Sequence, residues 1–367
     1  MKNNKLPQGF LASGLKCGIK NNDYDLGLIQ FKQPYRVVGF FTSNLNVSYS
    51  VSLSRKNIKN PIFAILVNSG NANCFSHNRG YQDTEDIVKE LAKKLDIGKE
   101  NVLIASTGII AKKLPKSKIT KNIPKLIKDL ENSPKKFAKS ILTTDSCTKV
   151  ISKTISFGKK KVKITGIVKG SGMIKPNLAT MLAFVLMDAD INLGILRKNA
   201  KEAVEKSFNS INIDAAESTN DSLFLVSSKK VPLTKKEEKR FFLEFQNIMV
   251  DLAKLIVKDA EGATKFVQLD LKGAKTVKEA KRLAEKIAGY VLFKAALYGS
   301  NPNIGRIIAV LGQEKIKLNK NDLKLKFNSF AKKNINIAIN LKRGRYSWRV
   351  YTCDLSPEYI KINAEYN

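Results

Sequence analysis

A chain of 367 residues is longer than one small core normally organises, and its 43% hydrophobic content supplies a sizeable interior, so two lobes are expected and wholesale disorder is excluded. The net charge is +33, but only 10 of the 65 basic residues are arginine, the residue on which base reading and bidentate phosphate contacts lean. The charge therefore reads as a lysine-rich solvated face with no specific nucleic-acid partner, and a basic nucleic-acid-binding protein stays only as an alternative.

The opening Met1–Lys5 has no apolar signal segment, and the longest apolar run, Met181–Met187, is too short to cross a bilayer. A soluble, cytoplasmic protein without membrane contact is expected. Tyr35–Phe41 and Pro61–Val67 are short apolar runs rich in β-branched and aromatic residues, which predicts strands. The second leads into Asn68-Ser69-Gly70-Asn71-Ala72-Asn73, a row of turn formers that reads as a loop, either presenting N–H groups to a ligand or simply connecting. Cys17, Cys74, Cys147 and Cys353 lie far apart and His77 is the sole histidine, which argues against a zinc cluster and any other metal site. His77 itself sits in a polar stretch and reads as a surface residue.

Asp83–Leu95 has a helical apolar face, capped by Asp83 or Thr84. Val102–Ala105 reads as a buried strand followed by Ser106-Thr107-Gly108. A Thr-Gly pair there can offer a hydroxyl and a backbone N–H to an oxyanion, although a plain turn is the commoner meaning. Lys121–Ile141 reads as helix broken at Ser133-Pro134. Thr143-Thr144-Asp145-Ser146 then either binds a polar substrate or caps local backbone. Lys161–Val168 is an amphipathic strand. It feeds a loop containing Gly170, Ser171, Gly172 and Pro176-Asn177, after which Met181–Met187 is apolar throughout, as in a strand buried on both faces. Thr180 stands at the junction, either as the first residue of a strand or as an activated nucleophile.

Beyond it, helices are expected at Leu193–Phe208, Lys235–Val257 and Val277–Ala288, and strands at Ser222–Val226, Lys265–Leu271 and Ile335–Leu341. Asn301–Arg306 reads as a turn before a strand Ile307–Leu311. No GxGxxG or GxxxxGK[ST] motif is present, and strands and helices mix without a regular βαβ alternation, which predicts a layered α/β sandwich with mixed sheets.

One ordered set of motifs adds to this. Lys169–Phe184 reads KGSGMIKPNLATMLAF. Around it stand Val67–Asn73, Ser106-Thr107-Gly108, Thr143-Thr144-Asp145, Ser218-Thr219-Asn220-Asp221, Glu261–Lys265, Asn301–Arg306, Cys353-Asp354-Leu355 and Ile362–Tyr366. Together they resemble the ornithine acetyltransferase family, also called glutamate N-acetyltransferase or the ArgJ family of arginine biosynthesis, from about Gly9 to the C-terminus. The resemblance implies an α/β (α+β) fold, a layered α/β/β/α sandwich of N-terminal-nucleophile character in two lobes. It implies self-cleavage between Ala179 and Thr180 into an α chain of residues 1–179 and a β chain of residues 180–367, assembled as two α and two β chains.

In that family Thr180 would carry an acetyl group from N2-acetyl-L-ornithine to L-glutamate. Its freed α-amine, with an ordinary pKa of about 7.7–8.0, would act as the general base. Thr107 and Gly108 match the oxyanion pair, and Ser146, Lys169, Thr180, Glu261 and Asn363 match substrate-binding positions. No cofactor is implied, with acetyl-CoA as a second acetyl donor in some members. The chain departs from the family pattern in Ala111, in Ala215-Ala216-Glu217, in Ile304 where tryptophan is common, and in ending at Asn367 without the usual hydroxyl-bearing tail. The rival readings are an N-terminal-nucleophile amidase that uses water as acceptor, and an uncleaved relative in which Thr180 is only structural.

Overall fold

The computed structural model describes residues 5–175, 181–319 and 322–365. They form two compact units. One holds Met1–Gly170, Asn177–Val204 and Glu217–Leu252; the other holds Ser171–Pro176, Glu205–Ala216 and Ala253–Asn367.

The chain enters the first unit through β1 (Phe10–Leu15), β2 (Leu26–Tyr35), β3 (Val37–Phe41) and α1 (Tyr49–Asn57). It continues through β4 (Ile62–Asn71), α2 (Gly80–Leu95), β5 (Val102–Ile109), α3 (Lys116–Lys128) and α4 (Lys135–Ser140). The hairpin β6 (Lys149–Phe157) and β7 (Lys160–Lys169) follows, then β8 (Leu182–Asp190) and α5 (Leu193–Glu205). The two-residue β9 (Ile211–Asn212) lies in the second unit, and β10 (Ser222–Pro232) and most of α6 (Lys235–Lys258) return to the first.

Strands β1-β2-β4-β5 make one mixed sheet, antiparallel except for the parallel β4–β5 pair. Strands β3-β10-β8-β7-β6 make a second, in which only β8 and β10 run parallel. The two sheets meet face to face through Phe10, Phe31, Ile65, Val67 and Leu103 on one side and Phe184, Leu186, Phe224 and Val226 on the other. The alternate residues of the first sheet, Ala64, Leu66, Val102 and Ile104, face Ile87, Val88 and Leu91 of α2 and Ile119, Ile123 and Leu126 of α3. Helix α6 runs along the outer face of the second sheet. Leu252 packs against Gly166, and Glu244 and Glu237 pair with Lys153 and Lys160 at 2.5 and 2.6 Å. The layers are therefore helix, sheet, sheet, helix. Central β8 is buried on both faces, which is why Leu182–Met187 carries no polar side chain.

The second unit continues from α6 with β11 (Phe266–Ala274), α7 (Val277–Ala288), α8 (Val291–Tyr298) and α9 (Ile304–Gln313). It ends with β12 (Lys324–Phe327), β13 (Asn334–Asn340), β14 (Tyr346–Cys353) and α10 (Pro357–Glu365). Its mixed sheet, β12-β13-β11-β14-β9, buries Val267, Leu269, Ile335, Ile337 and Val350 against Leu283 and Ile287 of α7, Phe293 of α8 and Ile307 of α9.

Three local expectations change. Ile307–Leu311 is helix rather than strand: Ile307, Val310 and Leu311 are buried while Ile308 is exposed, a 3.6-residue pattern that a short apolar run does not reveal. Asn68–Asn71 is strand rather than loop, because β4 stays paired with β5 to Asn71. Helix α2 begins at Gly80, one turn earlier than Asp83.

Candidate active site

The parallel ends of β4 and β5 build the first part of the site. Register becomes irregular where Gly70 meets Gly108. Gly108 has φ +131°, and a Cβ on it would stand 2.3 Å from the carbonyl carbon of Gly70, so only glycine fits. Thr107 beside it is buried, with 5% of its surface exposed. The buried asparagines around this point clamp backbone. Asn220 Nδ2 donates to the carbonyls of Ala72 (2.6 Å) and Ser106 (2.8 Å), and Asn71 Nδ2 donates to those of Lys112 (3.1 Å) and Lys113 (3.2 Å). Ser106 Oγ donates to Asn68 Oδ1 at 2.7 Å. Apart from Asn73 Oδ1, which is buried without a partner among the described residues, the polar groups of this row are paired and fix the two strand ends.

Lys169, at the end of β7, points into this region. Its Nζ donates to Thr143 Oγ1 at 2.7 Å and to Thr107 Oγ1 at 3.3 Å, and it stands 3.8 Å from the Asp145 carboxylate. The Asp145 side chain is fully buried and also accepts from Lys149 Nζ (2.6 Å), the Gly170 N–H (2.7 Å) and the Thr143 N–H (3.2 Å). Burial by itself raises a carboxyl pKa, but the charges of Lys169 and Lys149 and the hydrogen bonds outweigh it and bring Asp145 down to about 2. The β6–β7 register explains the meeting: Lys149 lies opposite Val168, beside Lys169.

Asp221 is the opposite case. Its Oδ1 accepts the Met181 N–H at 2.8 Å, while its buried Oδ2 has no hydrogen-bond partner among the described residues. Burial, with the nearby Glu217 charge, raises its pKa well above the ordinary carboxyl range in spite of the Met181 N–H and the Lys169 charge.

In the second unit Glu261 and Asn363 come together: Asn363 Nδ2 donates to Glu261 Oε2 at 2.9 Å. The Glu261 carboxylate packs against Gly172, where a Cβ would lie 2.2 Å from Oε2 and the carboxylate would have to move. Asp214 receives the Met173 N–H (2.5 Å), the Ile174 N–H (2.8 Å) and the Tyr359 hydroxyl (3.4 Å), so it anchors the glycine-rich segment. Burial raises the pKa of Asp214, helped by the Glu261 charge. Burial likewise pushes the Tyr359 phenol up, reinforced by the Asp214 and Glu261 charges.

Thr107, Gly108 and Lys169 are therefore brought together in the first unit, and Glu261 and Asn363 in the second. Ser146 is exposed, one residue along the loop from Asp145. Ala179 and Thr180 lie outside the described residues. His77 is half-buried rather than free at the surface: Nε2 lies 3.0 Å from Asp83 Oδ2 and Nδ1 lies 3.1 Å from Ser76 Oγ, while Asp83 Oδ1 pairs with Lys116 at 2.8 Å. Sequence reasoning named Asp145 and Asp221 only as members of motifs and did not single out Asp214 or Tyr359. The β6–β7 hairpin that sets Lys149 opposite Val168 was not read from the sequence, which showed only the strand Lys161–Val168, so no sequence signal pointed to Asp145. Among the described residues no group of His, Cys, Asp and Glu is arranged to hold a metal ion, and no helix is long and apolar enough to cross a membrane.

A sequence model of the ArgJ family matches residues 11–331 and 328–367. The arginine biosynthesis bifunctional protein ArgJ of Staphylococcus epidermidis is 36% identical over 387 residues, covering 98% of this chain and 97% of its own. The protein of the same name from Thermotoga neapolitana is 33% identical and covers 98% of this chain and 99% of its own. A solved chain of ArgJ from Bacillus halodurans is 30% identical over 48% of this chain and 95% of its own, with a TM-score of 0.44.

Proposed function

The chain belongs to the ArgJ family, and from that premise we propose that it is a self-cleaving acetyltransferase of arginine biosynthesis, moving an acetyl group from N2-acetyl-L-ornithine to L-glutamate. The reading is carried by one observation: Lys169 Nζ and Thr107 Oγ1 are 3.3 Å apart although 62 residues separate them in the chain, and each comes from a family motif. Maturation begins when the Thr180 hydroxyl attacks the Ala179 carbonyl: the peptide C–N bond breaks, freeing the Thr180 α-amine, and an ester to Thr180 Oγ forms. Water then hydrolyses this ester, releasing the Ala179 carboxylate and restoring the Thr180 hydroxyl.

That amine takes the proton of its own hydroxyl as Thr180 attacks the acetyl carbonyl of the donor, with Thr107 and the Gly108 N–H stabilising the tetrahedral oxygen. The proton passes to the departing amine of ornithine, and the acetyl group rests on Thr180 as an ester. The α-amine of glutamate then attacks this ester, giving N-acetyl-L-glutamate. Ser146, Lys169, Glu261 and Asn363 take the substrate-binding roles that their motifs carry in the family, the carboxylate of Glu261 suiting an ammonium group. No cofactor takes part in this cycle, and acetyl-CoA is included as a second donor to the same threonine. The proposed assembly is two α and two β chains in the cytoplasm.

The sheet supports the idea that the two products stay joined. A cut at 179/180 would leave β7 in the α chain paired with β8 in the β chain, from Ile164–Met187 to Lys169–Leu182. It would also leave β3 paired with β10.

Denaturing mass spectrometry tests the cleavage: two fragments, one beginning at Thr180, are expected from protein that migrates as one species under native conditions. Intact chain alone from folded protein would sink it. Thr180→Ala is expected to stay uncleaved and to lose acetyl transfer. Release of free acetate in place of N-acetylglutamate would favour the amidase, and thiol release from acetyl-CoA with glutamate reads the second donor.

A further inference from the structure

The Asp145–Lys149–Lys169 cluster has no part in the cycle above beyond placing Lys169 near substrate, yet it is built like a mounting. One carboxylate, with its side chain fully buried, is met by two ammonium groups and two backbone N–H groups. Of the two lysines, Lys149 takes the short contact at 2.6 Å and Lys169 the longer one at 3.8 Å. Lys169 spends its nearer hydrogen bonds on two hydroxyls, those of Thr143 and Thr107. A hydroxyl that accepts from an ammonium uses a lone pair to do so and keeps its O–H to donate elsewhere, more strongly because it is polarised.

We propose that Asp145 is a positioning residue for acetyl transfer: it holds the Lys169 ammonium against Thr143 and Thr107, so that Lys169 polarises the Thr107 hydroxyl as it donates to the oxyanion. The relay runs from Lys169 Nζ–H to Thr107 Oγ, and from Thr107 O–H to the tetrahedral oxygen. Asp145 also accepts the Gly170 N–H, which fixes the residue that follows Lys169 where the chain leaves β7 with φ +152°. The same carboxylate thereby sets both the direction of Lys169 and the start of the glycine-rich segment. This inference rests on Thr107 being an oxyanion donor, as proposed above. It gives Lys169 a role felt mainly in the transition state, where a purely substrate-holding lysine would act on ground-state binding.

A double-mutant cycle on the cleaved enzyme, with acetylornithine and glutamate, tests it. Thr107→Ala is expected to lower kcat about 100-fold or more. Lys169→Met is expected to lower kcat by at least about tenfold, with a smaller change in KM, and it leaves Asp145 paired with Lys149. Because Lys169 acts through Thr107, the double variant T107A/K169M is expected to be no slower than T107A, within about threefold. Multiplying losses overturn the relay. Asp145→Asn is expected to follow K169M in kcat with little change in KM; an unchanged kcat, or a rise in KM alone, overturns the role of Asp145. Should D145N not fold, D145N/K149M, which removes one negative and one positive charge together, carries the same expectation. A T107A enzyme with undiminished kcat would instead sink the oxyanion reading itself, so the two failures are distinguishable.

Discussion

Asp145 and Asp221 are both carboxylates buried in the first unit, and their surroundings drive them in opposite directions. Asp145 collects two ammonium groups and two backbone N–H groups and is held at about 2. Asp221 collects one N–H, from Met181, leaves its second oxygen unpartnered among the described residues, and is pushed well up. Burial is common to both and cannot be the deciding factor. What differs is the number of donors that arrive with each carboxylate, and so whether desolvation is offset.

The contrast can be broken most directly at Asp145. D145N takes the carboxylate charge away from two buried lysines, and a loss of about 3–5 kcal/mol is expected by urea denaturation; a loss below about 1 kcal/mol would mean the cluster is not an integrated charge site. The pH dependence of Asp145 comes next. Its folded pKa lies below its unfolded value of about 3.9, so its stabilisation is present above about pH 4 and is lost as pH falls toward 2. The stability gap between wild type and D145N is expected to close by about 2–3 kcal/mol over that range, read from urea midpoints at stepped pH.

Asp221 has the reverse sign. Its folded pKa is raised, so the folded state binds the proton more tightly and stability falls as pH rises above about 4. Asp221→Asn removes that penalty and keeps an acceptor for the Met181 N–H. A gain of about 1–2 kcal/mol is expected at pH 8 and less at pH 5; a loss at pH 8 would show an ionised, partnered carboxylate. The smallest effect belongs to a control. The Lys153–Glu244 pair has comparable length, 2.5 Å, but its lysine side chain is 46% exposed, and Lys153→Met is expected to cost less than about 1 kcal/mol.

Much of the architecture was legible from local pattern. Helix α7 spans the expected Val277–Ala288, with Thr276 capping it by accepting the Glu279 N–H at 3.0 Å. The apolar Met181–Met187 run leads into central β8. Where the reading failed, two periods competed over a short stretch or polar side chains hid a strand. Ile307–Leu311 has β-branched residues but packs as a helix beside α7 and α8. Asn68–Asn71 carries turn formers, but its asparagine amides and the Ser106 hydroxyl find partners inside the protein, and so the strand continues.

Thr107, Gly108, Lys169, Glu261 and Asn363 were named from ordered motifs, and two groups of them are neighbours in space. The tasks of Asp145, Asp214 and Tyr359 were not readable, since each depends on donors and acceptors from several separated stretches.

The amino-acid sequence by itself determined the family, the layered mixed-sheet class and the residue types at the candidate site, because periodicity and motif order are properties of neighbours along the chain. Only the tertiary structure decided which buried groups are charged and where Lys169 points. Those outcomes depend on how many donors and charges from distant segments converge on one low-dielectric point, and no local pattern records that number.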